Sequence, residues 1–338
     1  MGRLDTMANI IFMGTPEFAV SSLNLLVESG IRPIGVVTGP DRERGRGRLI
    51  SESPVKKAAV EHGITIILQP ESVKDSGFAD QIASLEPDLI IVVAFRILPP
   101  SVFNLARLGA FNLHGSLLPK YRGAAPIHRA VMAGESETGV TTFFLKEKVD
   151  TGHVILQRSM SIHPDETTGD VHDRMMVIGA EVVLETTKRI LDGTVETSPQ
   201  DDSLASSAPK IHREHGRIDW DLANVAVHNF IRGLSPNPGA WTHHRGKELK
   251  IFRSQLVEPG RTKLNDSEQR DRAPESIEAV GAEPERTPGT VIRCEGELVI
   301  ACERGEIAII EIQQEGKKRM PATDYVRGSS IQPGDVLL

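Results

Sequence analysis

The sequence has only two cysteines, Cys294 and Cys302. Two are too few for a disulfide framework, and their spacing matches no zinc motif. Aromatic residues make up 4% of the chain, which leaves little material for the stacking platforms of a single-strand nucleic-acid reader. No apolar run approaches the roughly 18 residues of a membrane span. The opening stretch MGRLDTMANIIF lacks a signal-peptide h-region. With reduced cysteines and no export signal, the expected location is the cytoplasm. Nucleophile and nucleotide signatures are missing as well: no GxSxG elbow, no GxxxxGK[ST] loop and no GxGxxG after the first strand-like run. A net charge of −7 argues against a surface coated with basic patches, so a polyanion would have to meet local clusters.

What is present fits two domains, since 338 residues exceed one typical domain. The first half alternates strand-like runs (ANIIFMG, IRPIGVVT, ITIILQP, DLIIVVAF, AFNLHG) with helical segments. Strands apolar on both faces and separated by helices predict a parallel sheet. Thr15 is placed to cap the first helix, Gly30 to stop it, and Ser53 to cap the helix that begins at Pro54. A long amphipathic helix, VHDRMMVIGAEVVLETTKRILDG, closes this domain near Gly193. The second half has one helix-like piece and then short strands (LKIFRSQLVEP, GTVIRCE, GELVIACERG, EIAIIEIQQ), the pattern of a small antiparallel barrel. The expected division is an α/β domain over 7–193, a polar linker over 194–212 and a β-barrel domain over 213–334. Residues 261–288 are charged and aperiodic, and are expected as a mobile insertion.

The chemistry gathers at FNLHGSLLPKYRGAAPIHRA. An open parallel sheet binds ligands beyond the carboxyl ends of its strands. Asn112 and His114 end the AFNLHG run, and their spacing of two sends both side chains to one face. An amide donor and a histidine at one point can stabilise an oxyanion and move a proton. Asp150, in KEKVDTGH at the end of another strand, is the candidate carboxylate to hold that histidine in one tautomer. By pattern alone these three also read as turn formers and a surface histidine. The run VVAFRILPP by itself reads as a buried strand and its turn. His212, His215, His243 and His244 read as surface residues, and Trp220 and Trp241 as packing residues.

Taken together, FMGTPEFAV, TGPDRERGRGR, VVAFRILP, NLHGSLLPKYRGAAPIHRA, ETGVT and DTGH resemble the methionyl-tRNA formyltransferases, within the folate-dependent formyltransferase family. RIDWD, FIRGLSPNPGAWT, PGTV and IQQEGKKRMPATDYVRG extend the resemblance over nearly the whole chain in the family's order. The resemblance implies a Rossmann-like formyltransferase domain followed by an OB-like barrel. It implies transfer of a formyl group from 10-formyltetrahydrofolate to the α-amine of methionyl initiator tRNA, by a monomer without a metal. Asn112, His114 and Asp150 fall on the family's catalytic positions. The folate is expected along Phe95, Arg96, Ile97 and Leu98, and against Ser116, Leu117, Leu118 and Pro119. The tRNA is expected on Arg42, Arg44, Arg46 and Arg48, and on Lys317, Lys318 and Arg319, with Arg232, Lys247 and Lys250 extending that basic face. The nearest alternative is a sugar-nucleotide N-formyltransferase using the same folate donor. One position departs from the family: Lys148 stands two residues before Asp150, where a glycine is frequent, which bears on the shape and charge of that loop.

Overall fold

The computed structural model describes residues 8–44, 49–257 and 287–338. It divides into two compact units, the first formed by residues up to 130 together with 135–210, the second by 131–134 and 211–338. The expected insertion at 261–288 falls almost wholly outside the described residues.

The first unit is built on a seven-stranded sheet. Its elements are β1 (Ile10–Gly14), α1 (Glu17–Glu28), β2 (Gly35–Val37), a small hairpin of β3 (Arg42–Arg44) and β4 (Leu49–Ser51), α2 (Pro54–Glu61), β5 (Ile66–Leu68), α3 (Ser76–Ala83), β6 (Leu89–Val93), α4 (Pro100–Phe103), β7 (Ala110–His114), α5 (Pro126–Met132), β8 (Glu137–Phe144), β9 (Val154–Ser161) and α6 (Thr168–Leu191). The strand order is β5-β2-β1-β6-β7-β8-β9. Pairing is parallel from β5 to β7. The last two pairings are antiparallel, which tempers the expectation of a parallel sheet. Residues 145–153, between β8 and β9, contain no helix, and antiparallel neighbours need none.

Apolar residues on both faces explain why this sheet is covered twice. Ile11, Met13, Ile90 and Val92 pack with Phe78, Ile82, Val102 and Phe103. On the other side α1 packs with α6, and α6 lies on β8 and β9. The helix starts follow local chemistry. Ser53 caps α2 by accepting from Lys56 N at 3.0 Å, as expected. Thr15 does not cap α1; its hydroxyl accepts from Gly39 N instead, at 3.1 Å. α6 begins earlier than its apolar pattern suggests, because Thr167 and Asp170 form a reciprocal capping box.

The polar run expected as a linker is part of this unit as far as Lys210. Its backbone pairs with the loop after β7: Arg122 N donates to Ser206 O, Ala208 N to Arg122 O, and Ala125 N to Ala208 O. These bonds make it a strap across that loop. Serines and small residues there, with few apolar side chains to bury, give a sequence no signal of such pairing.

The second unit contains α7 (Asn224–Gly233), β10 (Ala240–His244), β11 (Lys247–Leu256), β12 (Val291–Arg293), β13 (Leu298–Ala301), β14 (Glu306–Gln314), β15 (Met320–Pro321) and α8 (Ala322–Gly328). The sheet is antiparallel, in the order β10-β11-β14-β13-β12, with β15 paired to β14. Register shifts near Ile251 and Arg253 interrupt the β11–β14 pairing, and such bulges bend a strand toward barrel closure. Ile231, Leu249, Ile251, Leu298, Ile309 and Tyr325 share its core. His244, expected at the surface, is buried in β10. It bonds Tyr325 Oη at 2.9 Å through Nδ1 and lies 3.1 Å from Asp335 Oδ2 through Nε2. Strand alternation puts it on the inner face while its neighbour His243 is half-buried. Trp220 is buried, and its indole donates to Thr242 Oγ1.

Candidate active site

β1 is flanked by β2 on one side and β6 on the other, so the strand order reverses at β1 and leaves a crevice beyond the carboxyl ends of β1 and β6. A cavity of about 550 Å³ occupies it. Pro16 and Phe18 follow β1, Phe95, Arg96, Ile97 and Leu98 follow β6, and Asn112 and His114 end β7; all of them line it. Lys146, Glu147, Val149 and Asp150 close the side supplied by the β8–β9 connection. Ile97 and Val149 keep large exposed apolar surfaces at this cavity, 69% and 44%, a composition suited to a flat organic ring.

The structure brings Asn112, His114 and Asp150 together. His114 is 6% exposed and Asp150 11%. His114 Nε2 lies 2.9 Å from the carbonyl of Tyr121. A carbonyl can only accept, so Nε2 carries the hydrogen. Nδ1 is then the nitrogen left for chemistry, and it faces Asp150 Oδ2 at 3.8 Å. The tautomer is therefore set by Tyr121 O rather than by Asp150, which corrects the role expected of the carboxylate. At 3.8 Å the pair is within ion-pair reach but beyond a direct hydrogen bond. Asp150 Oδ2 already accepts from Gly123 N at 2.8 Å.

Both partners of His114 sit on constrained backbone. Tyr121 has φ +60° and Asp150 φ +56°, conformations that cost about 1–3 kcal/mol at a non-glycine residue unless the surroundings enforce them. For Tyr121 they do: its N–H donates to Ser206 Oγ at 2.9 Å and its hydroxyl to Glu135 Oε1 at 2.7 Å. Burial, then Glu135, pushes that phenol's pKa well above its ordinary value. For Asp150 the restraint comes from Gln200, whose Nε2 donates to Asp150 O at 2.9 Å and Gly152 O at 2.8 Å. Gly123, at φ +127°, admits no side chain, because a Cβ there would lie 2.6 Å from Ala208 O.

Ser116, Leu117, Leu118 and Pro119 do not line the cavity. Their loop is tied down by local hydrogen bonds. Ser116 Oγ donates to Lys120 O, Leu118 N donates to Thr141 Oγ1, and Thr141 Oγ1 donates to Ser116 O. Gln157 Nε2 adds a bond to Leu118 O at 2.8 Å. Of the loop cations, Arg122 is turned inward, 14% exposed and held by Gln200 and Asp202. Lys120 is 59% exposed. Lys148 is exposed and does not line the cavity; its carbonyl accepts from Thr151 Oγ1.

The two basic clusters lie apart from this centre in the chain. Arg42 is exposed at the start of β3. Asp41, at the hairpin's base, is fixed by Lys56 Nζ at 2.5 Å and Gln69 Nε2 at 2.8 Å. The hydrogen bond from Lys56, then that from Gln69, holds the Asp41 carboxyl below its usual range. The side chain of Arg44, and Arg46 and Arg48 altogether, lie outside the described residues. Lys317 and Lys318 are exposed between β14 and β15. Arg319 is engaged, 3.6 Å over the Phe252 ring and 3.5 Å from Glu311. One expected extension of this face, Arg232, is corrected. Arg232 is buried and donates to Asn229 Oδ1, and Lys250 donates to Pro238 O. Burial withdraws Arg232 from that face, whereas Lys250 is half-buried.

Sequence reasoning missed Tyr121, Gly123, Gln157, Gln200 and Ser206. None belongs to a recognisable chemical pairing in the chain, and Gln200 meets Asp150 across 50 residues. Among the described residues, no group of three or more His, Cys, Asp or Glu is placed to hold a metal ion, and no helix is long and apolar enough to cross a membrane.

Comparison with known proteins bears on the family and the fold. Residues 8–187 match the formyl transferase family, and residues 210–330 match its C-terminal domain. A methionyl-tRNA formyltransferase of Chlorobium phaeovibrioides is 46% identical over 332 residues, covering 97% of this chain and 98% of the relative. One from Staphylococcus epidermidis is 43% identical, covering 95% and 96%. Among solved structures, an N-formyltransferase from Helicobacter canadensis in complex with folinic acid and dTDP-3-aminofucose has a TM-score of 0.61 at 20% identity, covering 90% of this chain and 99% of that one. HypX from Aquifex aeolicus, in complex with tetrahydrofolic acid, has a TM-score of 0.60 at 19% identity, covering 95% and 47%. These structural likenesses bear on the fold. With a two-domain family match and relatives aligned nearly end to end, the chain belongs to the formyl transferase family, alongside its methionyl-tRNA formyltransferases.

Proposed function

We propose that the protein transfers the formyl group of 10-formyltetrahydrofolate to the α-amine of methionyl initiator tRNA. The observation that carries this reading is the identity of 41–47% with methionyl-tRNA formyltransferases over nearly the whole chain. The cavity supports the folate half of it. Its apolar walls at Phe95, Ile97, Leu98 and Val149 suit a flat heterocycle, and it ends at the polar cluster. The folate supplies an activated formyl carbon there.

The protein's part follows from the hydrogen-bond pattern. With Nε2–H committed to Tyr121 O, protonated His114 presents Nδ1–H. Together with the Asn112 amide it donates to the formyl oxygen as negative charge develops there. Asp150, whose carboxylate lies beside Nδ1, accepts a proton from the attacking amine as the new C–N bond forms. The old C–N bond then breaks, and the leaving nitrogen takes up the proton that Asp150 accepted, which returns the carboxylate to its starting state. On the tRNA side, Arg42, Arg44, Arg46 and Arg48 and the Lys317, Lys318 and Arg319 cluster serve phosphate contacts, by a monomer in the cytoplasm.

The test is formylation of charged initiator tRNA by wild type and by His114→Ala or Asn112→Ala, with an amino-sugar nucleotide as the competing acceptor. The wild type is expected to formylate methionyl-tRNA. Each variant is expected to lose about 10²–10³ in kcat. A wild type active only on the amino-sugar nucleotide would overturn the reading.

A further inference from the structure

The structure assigns Gln200 the role of a positioning residue for Asp150, an assignment that rests on the formyl-transfer reading of the site. Asp150 holds its carboxylate beside His114 Nδ1 only because its backbone turns into the left-handed region, at φ +56°. The carboxylate end of that turn is fixed by Gly123 N. The backbone end is fixed by Gln200, whose amide nitrogen donates to the carbonyls of Asp150 and Gly152 on either side of Thr151.

The chemistry of the amide suits this place. Its two N–H groups are spent on two carbonyls, and its oxygen accepts from Arg122 Nη2 at 2.7 Å and Nε at 3.1 Å. Arg122 is also paired with Asp202 at 2.7 Å. Gln200 thus joins the turn carrying Asp150 to the loop carrying Tyr121 and Gly123, the two backbone partners of the catalytic pair. A glutamate could keep the guanidinium bond, but as an acceptor-only group it would face two carbonyl oxygens. Gln200 does not line the cavity, so its effect on the reaction passes through Asp150.

The test compares full-length wild type, Gln200→Glu, Gln200→Met, Asp150→Ala and the double variant Asp150→Ala/Gln200→Glu in steady-state formylation of methionyl-tRNA, with melting curves for each. Misplacing Asp150 is expected to lower kcat about 10–100-fold in both Gln200 variants, with KM for tRNA and folate within about threefold. Gln200→Met carries no charge to bury and serves if the glutamate variant does not fold. Losses from Asp150→Ala and Gln200→Glu are expected not to multiply, since the second change acts on a group already removed. A role confined to stability would instead lower the melting temperature and leave kcat intact. Gln200 variants with wild-type kcat, or losses that multiply in the double variant, overturn the assignment. A wild type inactive on methionyl-tRNA overturns the function reading itself, and an Asp150→Ala variant as fast as wild type removes the premise of the assignment.

Discussion

Gly152 leaves no room for a side chain. A Cβ built there would lie 1.5 Å from Phe144 O and 3.0 Å from Phe143, so the β8–β9 connection can close against β8 only with glycine. Gly152→Ala is expected to cost on the order of 2 kcal/mol or more and, because Asp150 is two residues away, to lower kcat as well. A fall in melting temperature without any loss of kcat would separate the turn from the reaction. The side-by-side placement of Asn112 and His114 was legible for a local reason. Asn112 and His114 lie two apart on one strand, so their shared face follows from strand geometry alone. Which nitrogen of His114 faces Asp150 was not legible, because Tyr121 O, seven residues on in a loop, holds the other.

At the scale of elements, the starts and stops that depend on near neighbours were readable: Ser53 before Pro54, and Gly30, which takes φ +79° after α1. Thr15 has the sequence context of a cap but not the role, because its hydroxyl meets a more distant donor, Gly39 N. The strap over 198–208 was read as a linker for the same reason, since its partners are backbone groups about 50 to 90 residues back. The β3–β4 hairpin carries Arg42 on a base held by Asp41, Lys56 and Gln69. Arg42→Ala is expected to raise KM for tRNA several-fold with KM for folate unchanged. It is also expected to make the salt dependence of tRNA binding shallower by about one unit of slope. Titration of binding against salt checks this, and equal weakening of both substrates would remove Arg42 from the tRNA contact.

For the whole molecule, each unit carries a carboxylate that ties its acid stability to specific bonds. In the first, Asn9 N and then Arg107 hold the Asp88 carboxyl below its ordinary value. In the second, Gln332 N, followed by His244 and Arg245, does the same for Asp335. A depressed folded value means that the stabilisation is complete above the unfolded value near 3.9 and is lost as pH falls through the lower folded one. Melting temperature is therefore expected to hold from pH 7 to about 5 and then fall steeply below about 4. Asp335→Asn should give a lower melting temperature at pH 7 with a shallower acid decline; an unchanged profile would assign acid unfolding to other groups.

The strap also fixes the order in which the site can be completed. Asn112, His114 and Asp150 all precede it in the chain, yet the bonds that hold Tyr121, Arg122 and the Asp150 turn come from Gln200, Ser206 and Ala208. A growing polypeptide therefore carries all three residues before the strap can fix the loops around them. Those bonds can form only once residues to 208 have left the ribosome. Nascent chains shorter than this would hold Asn112 and His114 on β7 but leave the Tyr121 loop and the Asp150 turn without the strap's bonds.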